Sequence, residues 1–141
     1  MADNIVITRI WQDTDFFEVF VACTNANLFI SYNYYLNDFH IDDLHTQIQK
    51  FLSCENNSVL WESGNSGAEY VPCFKIKISN ISKTGTVEME ICMEFIDNEA
   101  QDKHNCIFCV KTELGLLEKF SKELLSLKEN SIGVKASLFL D

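Results

Sequence analysis

His104, Cys106 and Cys109 form the most motif-like group of metal-binding residue types in the sequence. A Cys-x-x-Cys pair binds zinc when a tight turn brings both sulfurs to one side and a second ligand pair completes the tetrahedron. Ile107 and Phe108, which separate the cysteines, favour an extended strand, where the sulfurs point to opposite faces. A redox pair would instead lie at the start of a helix. We therefore expect core cysteines and no metal or other cofactor, with a zinc site as the alternative.

Two histidines, His40 and His45, flank Asp42 and Asp43 near the start of a helical pattern. Metal-binding histidines on a helix are usually four residues apart, so that both lie on one face. A spacing of five turns the second side chain away by about 140°. We expect a solvated helix terminus, where the helix dipole favours the two carboxylates.

Asp13 and Asp15 could form a carboxylate pair for general acid and base catalysis. Such a pair needs a nucleophile or a third polar group beside it, and the sequence places none there. It also lacks the glycine-rich phosphate loops, the Gly-x-Ser-x-Gly elbow and the His-Glu-x-x-His motif. We expect an acidic turn, no catalytic residue and a protein that is not an enzyme.

Tyrosines and other aromatic residues are concentrated between residues 11 and 39, among several carboxylates. Tyr34 and Tyr35 are adjacent, so on a strand they face opposite ways and at least one tyrosine of this segment can be exposed. Exposed tyrosine beside carboxylates is typical of a surface that binds a basic protein. A tyrosine-rich strand half covered by a helix is the alternative. The candidate partner-binding residues are Asp13, Asp15, Tyr34, Tyr35, Asp38, Asp42 and Asp43.

The charge is large and unevenly distributed: 21 acidic and 11 basic side chains give the 141 residues a net charge of -10. Residues 1–70 hold two basic and ten acidic groups, a net charge of -8, whereas residues 71–141 hold nine lysines and eleven acids, a net charge of -2. With Arg9 as the only arginine, the chain lacks the clustered cations that bind nucleic acid. The excess favours a basic protein partner over nucleic acid or an anionic membrane, with solubility as the alternative explanation.

Hydrophobic periodicity predicts strands, a helix, more strands, a second helix and a last strand. The helices are expected at about 41–54, with Asp38 as a cap, and at about 114–129. Alternation predicts strands at 5–11, 16–23, 27–36, 59–62, 70–79, 86–96, 105–111 and 134–140. Antiparallel pairing would place Lys77 near Glu88 and Lys75 near Glu90. The prediction is an α+β fold, with a mainly antiparallel sheet that is curved or forms two layers, covered by two amphipathic helices.

A single domain over 1–141 is expected, because no linker divides the chain and its length supports one core. An offset of 73 aligns Phe51-Leu52-Ser53 with Leu124-Leu125-Ser126. This alignment predicts a weak strand-helix-strand repeat, at about 27–62 and 104–140, although helical periodicity alone produces some matches. We expect cytoplasmic residence, since the sequence shows no leader and no apolar stretch of membrane-spanning length. The six cysteines are then expected to be reduced.

Four segments of the second half follow a familiar layout: Trp61-Glu62-Ser63-Gly64, Gly85-Thr86-Val87-Glu88, Val110-Lys111-Thr112-Glu113-Leu114 with Leu117, Phe120 and Leu124, and Gly133-Val134-Lys135-Ala136-Ser137-Leu138. Over residues 59–140 this layout resembles small bacterial proteins of the WapI-like type, from which the helix at 41–54 departs. The resemblance implies an immunity protein that blocks a toxin by direct binding and carries no catalytic residues.

We therefore expect a bacterial immunity protein that neutralises a cognate, basic toxin domain. A small-ligand-binding domain, or a structural domain without a toxin partner, is the alternative. The oligomeric state is left open by the sequence.

Overall fold

The computed structural model describes residues 3–64, 71–97, 99, 102–129 and 131–139. In chain order the elements are β1 (Asn4–Gln12), β2 (Phe17–Thr24), β3 (Phe29–Leu36), α1 (Asp38–Leu52), β4 (Val59–Glu62), β5 (Phe74–Ile81), β6 (Thr86–Ile96), β7 (Lys103–Glu113), α2 (Leu114–Ser126) and β8 (Lys135–Ser137). Sheet A has the strand order β3-β2-β1-β8, and sheet B has the order β4-β5-β6-β7. All the neighbouring strands pair antiparallel. The α+β class with two antiparallel layers is confirmed.

Each sheet has one buried face, and the alternation of buried and exposed side chains along the strands shows which one. In β2 the side chains of Phe17, Val19, Val21 and Cys23 are buried, whereas those between them are at least partly exposed. The buried faces of both sheets join the apolar faces of both helices in one hydrophobic cluster. Burial of this apolar surface is the main force that holds the layers together.

Helix α1 begins earlier than expected because its N-cap is Asn37 rather than Asp38. The Asn37 side chain accepts a hydrogen bond from the His40 backbone N–H at 3.0 Å, and His40 Nδ1 accepts one from the Asn37 N–H at 3.1 Å. These reciprocal bonds form a capping box in which histidine replaces the usual Glu or Gln. Asp38 therefore lies in the first turn, where a carboxylate interacts favourably with the helix dipole.

Register in the β5-β6 hairpin differs from the expected one. Lys77 lies opposite Glu90, and Lys75 lies opposite Cys92. The turn is centred nearer Thr84 than expected, with Ser82 N–H donating to Thr86 O at 2.8 Å, and an irregularity follows between Ile78 and Asn80. The pairing therefore shifts by two residues, which keeps every side chain on its expected face.

The two sheets have equivalent strand orders. In sheet B, the strand after α1 is the edge strand β4, and β5, β6 and β7 follow it across the sheet. In sheet A, the strand after α2 is the edge strand β8, and β1, β2 and β3 follow it across the sheet. Helix α1 leads from sheet A to sheet B, α2 leads back, and the two helices contact each other. The predicted repeat units thus correspond to β3-α1-β4 and β7-α2-β8, apart from residue 140, which lies outside the described residues. An internal duplication stays a prediction. Within the described ranges, neither helix has the length and apolar character needed to cross a bilayer.

Candidate functional site

Three of the predicted partner-binding carboxylates, Asp13, Asp15 and Asp38, lie around one groove of about 340 Å³. Two exposed aromatic side chains border it: Phe16 is 49% exposed and Phe39 is 71% exposed. We call this surface, formed by Asp13, Asp15, Phe16, Asp38 and Phe39, the acid groove. Carboxylates beside large exposed apolar rings make a surface that is suited to a basic protein partner.

Local structure explains why these residues meet. The β1-β2 turn closes with a hydrogen bond from Asp13 N–H to Phe16 O at 2.7 Å, and Asp13 Oδ1 accepts one from Thr14 N–H at 2.6 Å. This turn therefore places both Asp13 and Asp15 at the end of the two central strands of sheet A. Because β2 pairs with β3 in register Phe17 to Leu36, the start of α1 lies next to the same turn. The capping box then fixes the start of α1, and with it the positions of Asp38 and Phe39 in the first turn.

Two cations, Arg9 and Lys128, also line this groove, and both are bound to groups outside the acid groove. Arg9 is only 3% exposed, and its Nη1 donates to Leu127 O and Glu129 O, each at 2.6 Å. The Lys128 ammonium lies 2.7 Å from the Asp42 carboxylate, and this hydrogen bond raises the pKa of Lys128. Within the described part of the chain, no ion pair joins Asp13, Asp15 or Asp38 to a cation. Asp38 also acts on Lys128 through its charge, whereas the charges of Asp13 and Asp15 are available to a partner.

The other two predicted helix carboxylates lie outside the groove. Asp42 forms the ion pair with Lys128 at its margin. Asp43 accepts hydrogen bonds from Gln47 Nε2 at 3.3 Å, and the same nitrogen donates to Leu60 O in β4 at 3.0 Å. Asp43 therefore faces sheet B rather than the acid groove.

Tyr34 is a wrong prediction as a contact residue, because it is only 2% exposed. Its hydroxyl donates to Glu94 O at 2.7 Å, and its ring stacks on Phe74 with the ring centres 5.5 Å apart. Burial raises the pKa of the Tyr34 hydroxyl. Tyr34 thus joins the two sheets, since β3 belongs to sheet A whereas Phe74 and Glu94 belong to sheet B.

Tyr35 is 60% exposed and lies on the outer face of sheet A. The pairing places it opposite Glu18, which in turn lies opposite the exposed Trp11. Tyr35 therefore stays a candidate contact residue.

The Cys-x-x-Cys segment lies in β7, and its two sulfurs do not converge. Cys106 packs against the hydrophobic core, whereas Cys109 is exposed on the other face of the strand. The exposed His104 stacks on Phe95 with the ring centres 5.3 Å apart. Among the described residues, no cluster of three or more His, Cys, Asp or Glu side chains could hold a metal ion.

A second groove, of about 520 Å³, lies on the outer face of sheet B. Alternating charges line it, with Lys77 opposite Glu90, together with the exposed apolar side chains of Leu60 and Ile107. Burial raises the pKa of the Cys92 thiol in this groove, which disfavours the thiolate needed for nucleophilic chemistry.

Phe16, Phe39 and Arg9 were missed as site residues by reasoning from the sequence. Phe39 had a detectable signal, because it falls off the helical stripe of Ile41, Leu44 and Ile48. Phe16 precedes Phe17 in an apolar run, and which of the two faces solvent depends on where the turn ends. Arg9 occupies a core-facing position of β1, where sequence alone gives no carbonyl partners for it.

Comparison with protein-family models, with curated proteins and with solved structures finds no match to this chain.

Proposed function

We propose that this chain is a non-enzymatic bacterial immunity protein, resident in the cytoplasm, that binds and neutralises a cognate basic toxin domain. One observation carries the proposal: Asp13, Asp15 and Asp38 meet at one groove beside the exposed Phe16 and Phe39, and none of the three forms an ion pair within the described residues. The resemblance of residues 59–140 to WapI-like proteins implies the same class.

The mechanism would be occlusion rather than chemistry. The carboxylates attract a basic surface and raise the association rate, because a charged patch steers a partner of opposite sign. The rings of Phe16 and Phe39 then lose water against the partner, and large buried side chains at an interface centre supply most of the affinity. Neither step requires a cofactor, a metal or a catalytic group.

A small-ligand-binding domain is the second candidate, favoured by the groove of about 520 Å³ on sheet B. Its volume is within the usual range for ligand sites. Ligand sites generally share polar groups that converge on one point. The charges along this groove instead alternate in sign. The acid groove therefore supports the first candidate better.

Binding to the toxin domain encoded beside this gene tests the proposal. We expect a stable complex, in which the triple variant Asp13→Lys, Asp15→Lys, Asp38→Lys binds at least about tenfold more weakly, mainly through slower association at low salt. The matched control reverses three exposed carboxylates elsewhere, Glu55, Glu99 and Glu113, and changes the net charge equally.

Surface plasmon resonance at two salt concentrations measures both rates, and co-expression measures protection from the toxin. If both triple variants bind equally weakly, the overall field acts and the acid groove is not the site. Failure of the unmodified protein to bind any toxin encoded beside its gene would overturn the function itself.

A further inference from the structure

Strand β3 forms one edge of sheet A, and among the described residues no strand lies beside one side of its backbone. At the β2-β3 turn, Asn25 N–H donates to Leu28 O at 3.1 Å, so this pair is hydrogen-bonded. Antiparallel pairs alternate between hydrogen-bonded and non-hydrogen-bonded. The N–H and C=O groups of Phe29, Ser31, Asn33 and Tyr35 therefore point away from β2.

The edges of the other outer strands are covered by side chains. On β4, Gln47 both donates to Leu60 O and accepts from Leu60 N–H. On β7, Asn25 Nδ2 donates to Cys109 O at 3.0 Å, and an Asp3 carboxylate oxygen accepts from Lys111 N–H at 2.8 Å.

Helix α2 covers the edge of β8 in the same way. Glu123 accepts from Ser137 N–H at 2.9 Å, and Lys119 Nζ donates to Ser137 O at 2.7 Å. No described residue makes such a bond to the outward backbone groups of β3, so this edge is open in the part of the chain that the structure describes.

Strand β3 also lacks the usual protection of an exposed edge. Natural edge strands are commonly short, bulged, or carry Lys or Pro. The sequence Phe29–Leu36 holds neither residue type, and its pairing with β2 runs without a bulge over eight residues. An open, unprotected edge of this length is a template for one more strand.

A groove of about 510 Å³ runs along this edge. Side chains from both faces of β3 line one wall, including Tyr32 and Tyr35, and Val71 and Pro72 line the other. Glu18 is the one ionisable carboxylate or cation among the described lining residues. The outer wall thus offers a carboxylate beside the Tyr35 ring, which together attract Lys or Arg.

We infer that the free edge of β3 binds an extended, basic segment of a partner protein by antiparallel or parallel strand addition. The added strand gives backbone hydrogen bonds to Phe29, Ser31, Asn33 and Tyr35. It places Lys or Arg at alternate positions, on the outer face near Glu18 and toward the acid groove beyond Leu36. This inference rests on the proposed function for the identity of the partner, which is the toxin domain.

The same edge could accept a second copy of this chain. Each copy carries a net charge of -10, and the Glu18 carboxylates of the two copies would approach each other, so charge repulsion opposes that pairing. The basic segment is therefore the occupant that the charges favour.

A phage-displayed library of random twelve-residue peptides, selected on the intact protein, tests the edge without a toxin. We expect enriched peptides with Lys or Arg at alternate positions between β-branched or aromatic residues. Binding of a synthetic copy should slow amide hydrogen exchange at Ser31, Asn33 and Tyr35.

Asn33→Pro removes one N–H from the free side of β3 and leaves the bonds to β2 in place. We expect it to weaken peptide binding at least about tenfold, because a ladder hydrogen bond is lost and the ring obstructs its neighbours. The matched control is Ile107→Pro on the outward side of β7, which should change binding less than about twofold. Asn33→Lys, which keeps the N–H and repels a basic strand, provides a second variant if the proline variant does not fold.

Several results would overturn the inference: no enriched peptide, peptides without basic residues, or binding that Asn33→Pro and Asn33→Lys leave unchanged. A dimer of the free protein that Asn33→Pro converts to a monomer would assign the edge to a second copy. Peptide binding at the edge without any toxin complex would overturn the proposed function alone. A toxin complex insensitive to both Asn33 variants would leave that function standing and remove the edge from it.

Discussion

Arg9 shows how a single residue can hold two ends of the chain together. Its guanidinium lies 4.4 Å from the centre of the Phe17 ring and donates to the carbonyls of Leu127, the C-cap of α2, and of Glu129, which follows the helix. The last carbonyls of a helix have no partner within the helix, and a cation there also interacts favourably with the helix dipole. Arg9 therefore couples the closing turn of α2 to β1 and to the base of the acid groove.

Substitution of Arg9 tests this role. Arg9→Met should lower the free energy of unfolding by about 3 kcal/mol, because two carbonyls lose charged donors, whereas Arg9→Lys should lose less because one donor remains within reach. Urea denaturation measures both values. Lys50→Met, an exposed cation in the last turn of α1, is the control and should change stability by about 0.5 kcal/mol or less. Equal losses for Arg9→Met and Arg9→Lys would show that the carbonyl bonds contribute little.

Among the elements, α1 depends on a capping box that needs a neutral histidine. His40 Nδ1 accepts a hydrogen bond from Asn37 N–H, and a protonated imidazole cannot accept it. Burial lowers the pKa of His40 below its ordinary value of 6.5, with Asp43 acting in the opposite direction. The unfolded chain therefore takes up the proton more readily than the folded chain as the pH falls.

The stability that His40 contributes should be fully present above its unfolded pKa of 6.5 and lost as the pH falls below it toward the lowered folded pKa. His40→Gln keeps a hydrogen-bond acceptor that does not titrate. Between about pH 7.5 and about pH 5.5, we therefore expect the thermal unfolding temperature of this variant to decrease less than that of the parent protein. His104→Gln, at an exposed histidine of β7, is the control and should keep the parent's pH dependence. A His40→Gln variant with the parent's pH profile would contradict the capping role.

The helices and strands were predicted from local periodicity, because alternation and helical spacing are properties of short segments. The start of α1 was missed because histidine is an unusual partner in a capping box. The β5-β6 register was missed because an irregularity after Ile78 leaves the alternation intact. Pairing of β1 with β8 joins opposite ends of the chain, and no local pattern reports such a contact.

The candidate site was partly predictable for the same reason. Asp13, Asp15 and Asp38 were found as charged residues near predicted turns, and their meeting at one groove follows from the β2-β3 pairing. Tyr34 and Tyr35 could not be told apart, because adjacent residues of a strand exchange faces with a shift of one residue. The position of Phe39 in the site depends on the capping box, which sets the start of α1 and could not be predicted from the sequence.

At the scale of the whole molecule, the net charge of -10 should itself lower stability through repulsion between carboxylates. Sites that bind partners commonly keep groups that the isolated fold would not favour. Asp13→Asn with Asp15→Asn removes two unpaired charges, and the amide oxygen introduced by the first substitution can still accept from Thr14 N–H. We expect this double variant to unfold at a higher temperature at low salt, by a few tenths of a kcal/mol in free energy, roughly the scale of exposed charge pairs.

The difference should shrink as salt is raised, because screening at about 1 M salt acts within about 3 Å. Calorimetry of both proteins across a salt series measures it, with Glu118→Gln as the control, since that carboxylate has Lys122 as its partner at 3.3 Å. The control should gain no stability at low salt. If the double variant is less stable at every salt concentration, then Asp13 and Asp15 serve the fold, and their charge is not reserved for a partner.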